Sequence, residues 1–146
     1  MFDERMQFSS LNCLSSDDVE SLRAVLQQRN YRCYEVNGSR MSGAASLYRE
    51  LVAVLPQDPP LSGRRNWDAF EDSVWEGLES APEEKFAILW HDSHLMLGAL
   101  LPEFLRAVVV IDGLTASLAT TKHGASRPKE VLLFLIGRGD GFKALG

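Results

Sequence analysis

Two apolar runs of strand length most restrict what this chain can fold into. The first is Phe86-Ala87-Ile88-Leu89-Trp90, directly after Lys85, and the second is Val131-Leu132-Leu133-Phe134-Leu135-Ile136. Neither alternates with polar residues. A strand with one wet face shows a period of two, whereas an unbroken run fits a strand covered on both faces. Between the runs, after the polar turn His91-Asp92-Ser93, helical patterning returns at about Leu95. Pro102 suits the first turn of a helix running toward Ala119, and Gly113 is a point where that helix is expected to stop early. A third β-prone segment, Tyr31–Val36, ends at the turn pair Asn37-Gly38. Doubly covered strands joined by helical crossovers predict an α/β fold of three layers, with a small three-stranded, mainly parallel sheet flanked by helices.

The rest of the chain fits around that frame. Residues 1–30 read as an N-terminal extension packed on a domain over 31–146, with the addition of a strand to an open sheet edge as one way for it to pack. The extension holds a short strand around Phe8–Leu14 and a helix from about Asp17 to Arg29, with Ser16 as its cap and Asp17, Asp18 and Glu20 in its first turn. Ser42 is expected to cap a helix through about Leu55, with an apolar stripe of Ala44, Leu47, Tyr48, Leu51 and Leu55 that Pro56 ends. Residues 56–65 form a Pro- and Gly-bearing loop, and Gly137–Gly141 reads as a flexible tail.

Charge is distributed unevenly. The chain has 20 acids against 15 Lys and Arg, for a net charge of −5. Seven of the acids (Asp68, Glu71, Asp72, Glu76, Glu79, Glu83 and Glu84) fall between Asn66 and Glu84, a stretch without Lys or Arg, so the remainder is close to neutral. A net acidic chain repels nucleic acid, which argues against DNA or RNA as a partner. No apolar run reaches the ~18–20 residues that span a bilayer. The start, Met1-Phe2-Asp3-Glu4-Arg5, lacks the basic and apolar regions of a secretion signal, so a cytoplasmic protein is expected. Cys13 and Cys33 then read as reduced thiols, and their spacing suits no zinc site. His91-Asp92-Ser93-His94 has no metal-ligand spacing and reads as a strand-end turn. No cofactor is implied.

The acidic stretch is helical in pattern. At 100° per residue, Trp67, Phe70, Val74 and Leu78 fall within about 80° and form a core stripe. Asp68, Asp72, Glu76 and Glu79 fall on a second arc of about 80°, centred roughly 140° away. Asn66 is a suitable N-cap. Like charges at i and i+4 cost a few tenths of a kcal/mol per pair, and from Asn66 onward no base at i±3 or i±4 relieves them. Trp75 beside unpaired carboxylates has the composition of a binding hot spot, and a focused negative face suggests a positively charged partner. Asp68 and Asp72 as a general acid and base would need a cleft and an oriented third group. No His, Ser or Cys constellation supplies one, so the chain does not read as an enzyme.

Asn66-Trp67-Asp68-Ala69-Phe70-Glu71-Asp72 resembles the Asn-x-Asp-Ala-Leu-x-Asp helix signature of the barstar family, intracellular inhibitors of secreted ribonucleases. Val36-Asn37-Gly38 with Leu47 to Leu55 is similar to that family's first strand, turn and helix. Phe86–Trp90 resembles its second strand, and Val131–Gly137 its last. The resemblance covers roughly residues 31–137. It implies a stoichiometric inhibitor, monomeric when free, that plugs the basic active site of a nuclease or other toxin with acids from this helix. Asp72 matches the central acid, Asp68 the acid one turn earlier and Asn66 the rim residue. Trp75 and Glu76 extend the expected surface, as do Arg64 and Arg65, which lie where the family prototype has aromatic residues. The prototype's last-helix acid has Asp112 as its nearest counterpart.

Overall fold

The computed structural model describes residues 5–62, 64–139 and 142. Four strands form one sheet: β1 (Leu11–Ser15), β2 (Arg32–Asn37), β3 (Lys85–His91) and β4 (Glu130–Gly137), in the order β1-β4-β3-β2. Every pairing is parallel. Leu11 lies opposite Leu133, Arg32 opposite Phe86 and Phe86 opposite Val131. The fold is thus α/β as expected, but with four strands rather than three and a wholly parallel sheet. The fourth strand is β1, from the N-terminal extension, which takes the open edge beside β4 that the sequence reading left available to it. As an edge strand it is only half-buried, so Leu11-Asn12-Cys13-Leu14-Ser15 lacks the apolar run that marks β3 and β4. Asn12 helps to fix it in place, with Nδ2 donating to Leu133 O at 3.3 Å.

Parallel strands need crossovers, and here helices supply them. Helix α1 (Val19–Gln28) covers one face alone. The other face carries α2 (Ala44–Val54), α3 (Trp67–Ser80) and α4 (Leu101–Leu118). Alternate residues of the central strands feed the two cores. Phe86, Ile88, Trp90, Val131, Leu133 and Leu135 point to the three-helix side, whereas Ala87, Leu89, Leu132, Phe134 and Ile136 meet Val19, Leu22 and Leu26 of α1. This two-sided burial accounts for the unbroken runs.

Several helix starts differ from expectation. Ser15, not Ser16, caps the amino-terminal turn: its Oγ accepts from Asp17 N at 3.2 Å in a 3-10 turn before α1. Ser42 does not cap α2. Gly43 occupies the cap position, and Ser46 Oγ reaches back to accept from the backbone N–H of Ser42 (2.8 Å) and Gly43 (3.0 Å). Helix α4 runs through Gly113, whose missing side chain would meet only open space. Gly38 is required sterically: a Cβ there would lie 2.3 Å from His91 O, where the ends of β2 and β3 converge. Gly137, the start of the expected tail, closes β4; Asp140 and Gly141 lie outside the described residues.

Candidate functional site: the exposed end of an acidic helix

Helix α3 is fixed at its start by its own sequence. Asn66 Oδ1 accepts from Ala69 N at 3.1 Å, taking one of the N–H groups that a helix start leaves unpaired. Asp68 lies in the first turn, where the dipole favours an acid. Trp67, Phe70, Val74 and Leu78 are buried as the angular map requires. Tyr48 of α2 anchors this end. Its ring meets Trp67 edge-on at 5.1 Å, and its hydroxyl donates to Asn66 O at 3.1 Å.

The loop before α3 is strapped along one flank of the helix. Asp58 N donates to Ser73 O at 2.9 Å, and Ser73 Oγ donates to Pro59 O. Gly77 lets the loop close in, since a Cβ there would come within 2.6 Å of Pro56 backbone atoms. The opposite flank meets α4, where Trp75 Nε1 donates to Ser117 Oγ at 3.0 Å. Trp75 is therefore a half-buried joint between two helices, not the exposed aromatic that the sequence suggested.

Between these flanks Asp68, Glu71, Asp72 and Glu76 are all exposed. Among the described residues none of the four is in an ion pair. The carboxyl end is different. Glu79 Oε1 accepts from Ser126 N (2.7 Å) and Ser126 Oγ (2.8 Å), and these bonds, the backbone one first, hold its carboxyl below the usual range. Glu84 pairs with Arg127 at 2.8 Å. Lys129 is 3% exposed and donates from Nζ to Leu78 O, Glu79 O and Ala81 O at 2.8, 2.9 and 2.6 Å. A buried cation thus occupies the negative end of the helix dipole and satisfies carbonyls that no glycine cap serves. The arc of four acids seen in the sequence is reduced to Asp68, Asp72 and Glu76, with Glu71 beside them.

Arg64 and Arg65 are exposed just before the cap. Arg65 lines a polar cavity of about 290 Å³ with Asn66, Trp67, Asp68, Glu103 and Arg106. The structure therefore brings Arg65, Asn66 and Asp68 together at one end of α3, with Asp72, Glu76 and Trp75 following along the helix. Glu103 and Arg106, from the first turns of α4, escaped the sequence reading: nothing local distinguishes them, and only helix packing brings them here. Asp112 is exposed on α4 and does not line this cavity. His91 is occupied elsewhere, with Nε2 2.7 Å from Glu35 Oε1. Among the described residues no group of three or more His, Cys, Asp or Glu is placed to hold a metal ion, and no helix is long and apolar enough to cross a membrane.

Fold and surface together define a parallel α/β domain that displays the bare acidic flank of a helix. The chain belongs to the barstar family, whose model, described as barstar (barnase inhibitor), matches residues 31–135. No curated protein and no solved structure matches it. The matched span starts just before β2 and ends in β4, so β1 and α1 precede it.

Proposed function

We propose that this protein is a stoichiometric inhibitor of a basic ribonuclease, which it blocks by inserting the exposed flank of α3 into the phosphate-binding active site. The observation that carries this reading is the exposure of Asp68, Asp72 and Glu76 without ion pairs among the described residues, while Glu79 and Glu84 toward the other end are engaged. Family membership supports it, because the family's description is that of a ribonuclease inhibitor. Chemically, carboxylates spaced one turn apart on a rigid helix present negative charge as successive phosphates do. They require of the helix only that it stay in place, and the two strapped flanks and the Lys129 cap hold it there. Long-range attraction between this flank and a basic groove speeds capture. In this reading the protein acts as a ligand and catalyses nothing.

The test is reconstitution with basic ribonucleases encoded near this chain. A one-to-one complex that abolishes RNA cleavage is expected, with association slowing as salt rises. Asp72→Ala is expected to cost at least about 2 kcal/mol of affinity, roughly 30-fold. A loss under about threefold rejects Asp72 as the central acid. The second reading is immunity against a toxin that is not a ribonuclease. The exposed Arg64 and Arg65 beside the acids favour it, since two cations suit a purely basic groove poorly. A complex with a toxin that cleaves no RNA decides for that reading.

A further inference from the structure

Helix α4 has an uncovered side. Phe104, Ala107, Ile111, Leu114 and Leu118 pack into the larger core. The opposite side is not the polar one that a surface helix normally shows. At 100° per residue, Pro102, Leu105, Gly113 and Ala116 lie within about 40° of Val109, and all five are exposed. Val109 is 69% exposed and Leu105 51%, so two large apolar side chains stand in water. A Cβ on Gly113 would meet no atom within 4 Å, which leaves an open notch in the same stripe. Two charges edge the stripe, Arg106 and Asp112, each about 60° from Val109 and on opposite sides of it. Both are exposed, and among the described residues neither is in an ion pair.

We infer that this stripe is the contact between two copies of the chain, packed with their α4 helices antiparallel and Val109 at the two-fold axis. The order of the residues carries the inference. Arg106 comes three residues before Val109 and Asp112 three after it; Leu105 comes four before and Gly113 four after. Antiparallel pairing about Val109 therefore sets Arg106 of each copy level with Asp112 of the other. It also sets Leu105 level with Gly113, where no side chain stands in the way. A two-fold interface requires such self-complementarity, because the same patch meets itself. A partner of another kind requires none. One helix laid on another buries less than the about 800 Å² per copy of a standard complex. The net charge of −5 on each copy opposes the contact further. The dimer is thus weak, with a dissociation constant of roughly 100 μM. A dilute chain is then the free monomer that the family resemblance implied, and a concentrated one is not. The inference does not depend on what α3 binds.

The experiment is sedimentation equilibrium of the full chain at about 0.15 M salt, over roughly 10 μM to 1 mM protein. The mean mass is expected to rise from that of a monomer toward that of a dimer. Val109→Glu should weaken association at least about tenfold. Its near-UV circular dichroism should match that of the parent, because Val109 stands in water. Arg106→Asp brings like charges level across the contact and should also weaken it. Combining Arg106→Asp with Asp112→Arg should restore association to within about threefold of the parent. Residues six apart lie on different sides of one helix, so this rescue reads a contact between copies. A chain that stays monomeric at the highest concentration overturns the inference. So does association that survives Val109→Glu, or a double swap without rescue. If the chain never self-associates and Val109→Glu instead weakens a toxin complex, the stripe belongs to the toxin and the inference fails.

Discussion

The two ends of α3 are built from the same kind of sequence and do opposite things. Toward the carboxyl end, Glu79 is held by Ser126, Glu84 is paired with Arg127, and Lys129 closes the helix from within. Toward the amino end, Asp68, Glu71, Asp72 and Glu76 are exposed, and among the described residues none of them is in an ion pair. A count of charges along the chain cannot separate these cases. What separates them is the segment of residues 126–129, far away in sequence, which folds against one end only. The loop after α2, together with α4, holds the middle of the helix, at Ser73, Trp75 and Gly77, ahead of the engaged end. Charge at the other end has been spent on holding the helix together.

Breaking the cap should have the largest effect. Lys129→Met leaves three carbonyls at the end of α3 without their donor. Bonds to a charged group contribute about 1.5–3 kcal/mol each, offset by the cost of keeping an ammonium out of water, which also lowers the Lys129 pKa. A net loss of about 3 kcal/mol is expected, read as a lower urea midpoint. At the other end Asn66→Ala removes the N-cap and should cost about 1 kcal/mol. A cost above that of Lys129→Met would invert the comparison. Asp72→Asn, by contrast, should raise the stability of the free protein by a few tenths of a kcal/mol while weakening the complex, because it relieves repulsion at i±4. If stability falls instead, Asp72 has a structural partner and the amino half is not bare. The smallest effect is a titration. The Glu79 carboxyl is held below its ordinary value of 4.5, first by the Ser126 backbone N–H and then by its hydroxyl. The folded chain thus binds this proton less readily than the unfolded one. The resulting stability is present above pH 4.5 and is lost as pH falls through the lower folded value. In Ser126→Ala the backbone bond survives, so carbon-detected NMR should show the Glu79 midpoint rising only part of the way to 4.5.

What the sequence revealed follows from the range of the interactions involved. The runs at β3 and β4, the stripe Trp67, Phe70, Val74 and Leu78, and the Asn66 cap are local patterns, and each is present where its pattern places it. Strand β1 was legible as a short strand with an open edge available to it, but not as a counted member of the sheet, because an edge strand is half-wet and carries no apolar run. The cap was misassigned to Ser42 because the hydroxyl that closes this helix start, Ser46, lies three residues into the helix and reaches back to the N–H groups of Ser42 and Gly43. Glu79, Trp75, Glu103 and Arg106 owe their roles to residues tens of positions away or to the packing of α3 against α4. No spacing rule contains that information. Asp68, Asp72 and Glu76 were readable as an exposed row, but that none of them is in an ion pair among the described residues was a question for the fold.

The strand order has a consequence for timing. Strand β4 is the last of the four to be synthesised, yet it lies in the interior of the sheet, between β1 and β3. Until residues 130–137 are available, β1 has no neighbour to pair with, and β3 exposes the edge that β4 will pair with. Lys129, the cap of α3, arrives in the same stretch. A nascent chain can therefore form helices early but cannot complete the platform that presents the acids, and its folding waits on contacts between distant parts of the sequence. Interrupting synthesis even slightly upstream of residue 130 would leave a chain with all of the acids of α3 and no completed sheet behind them.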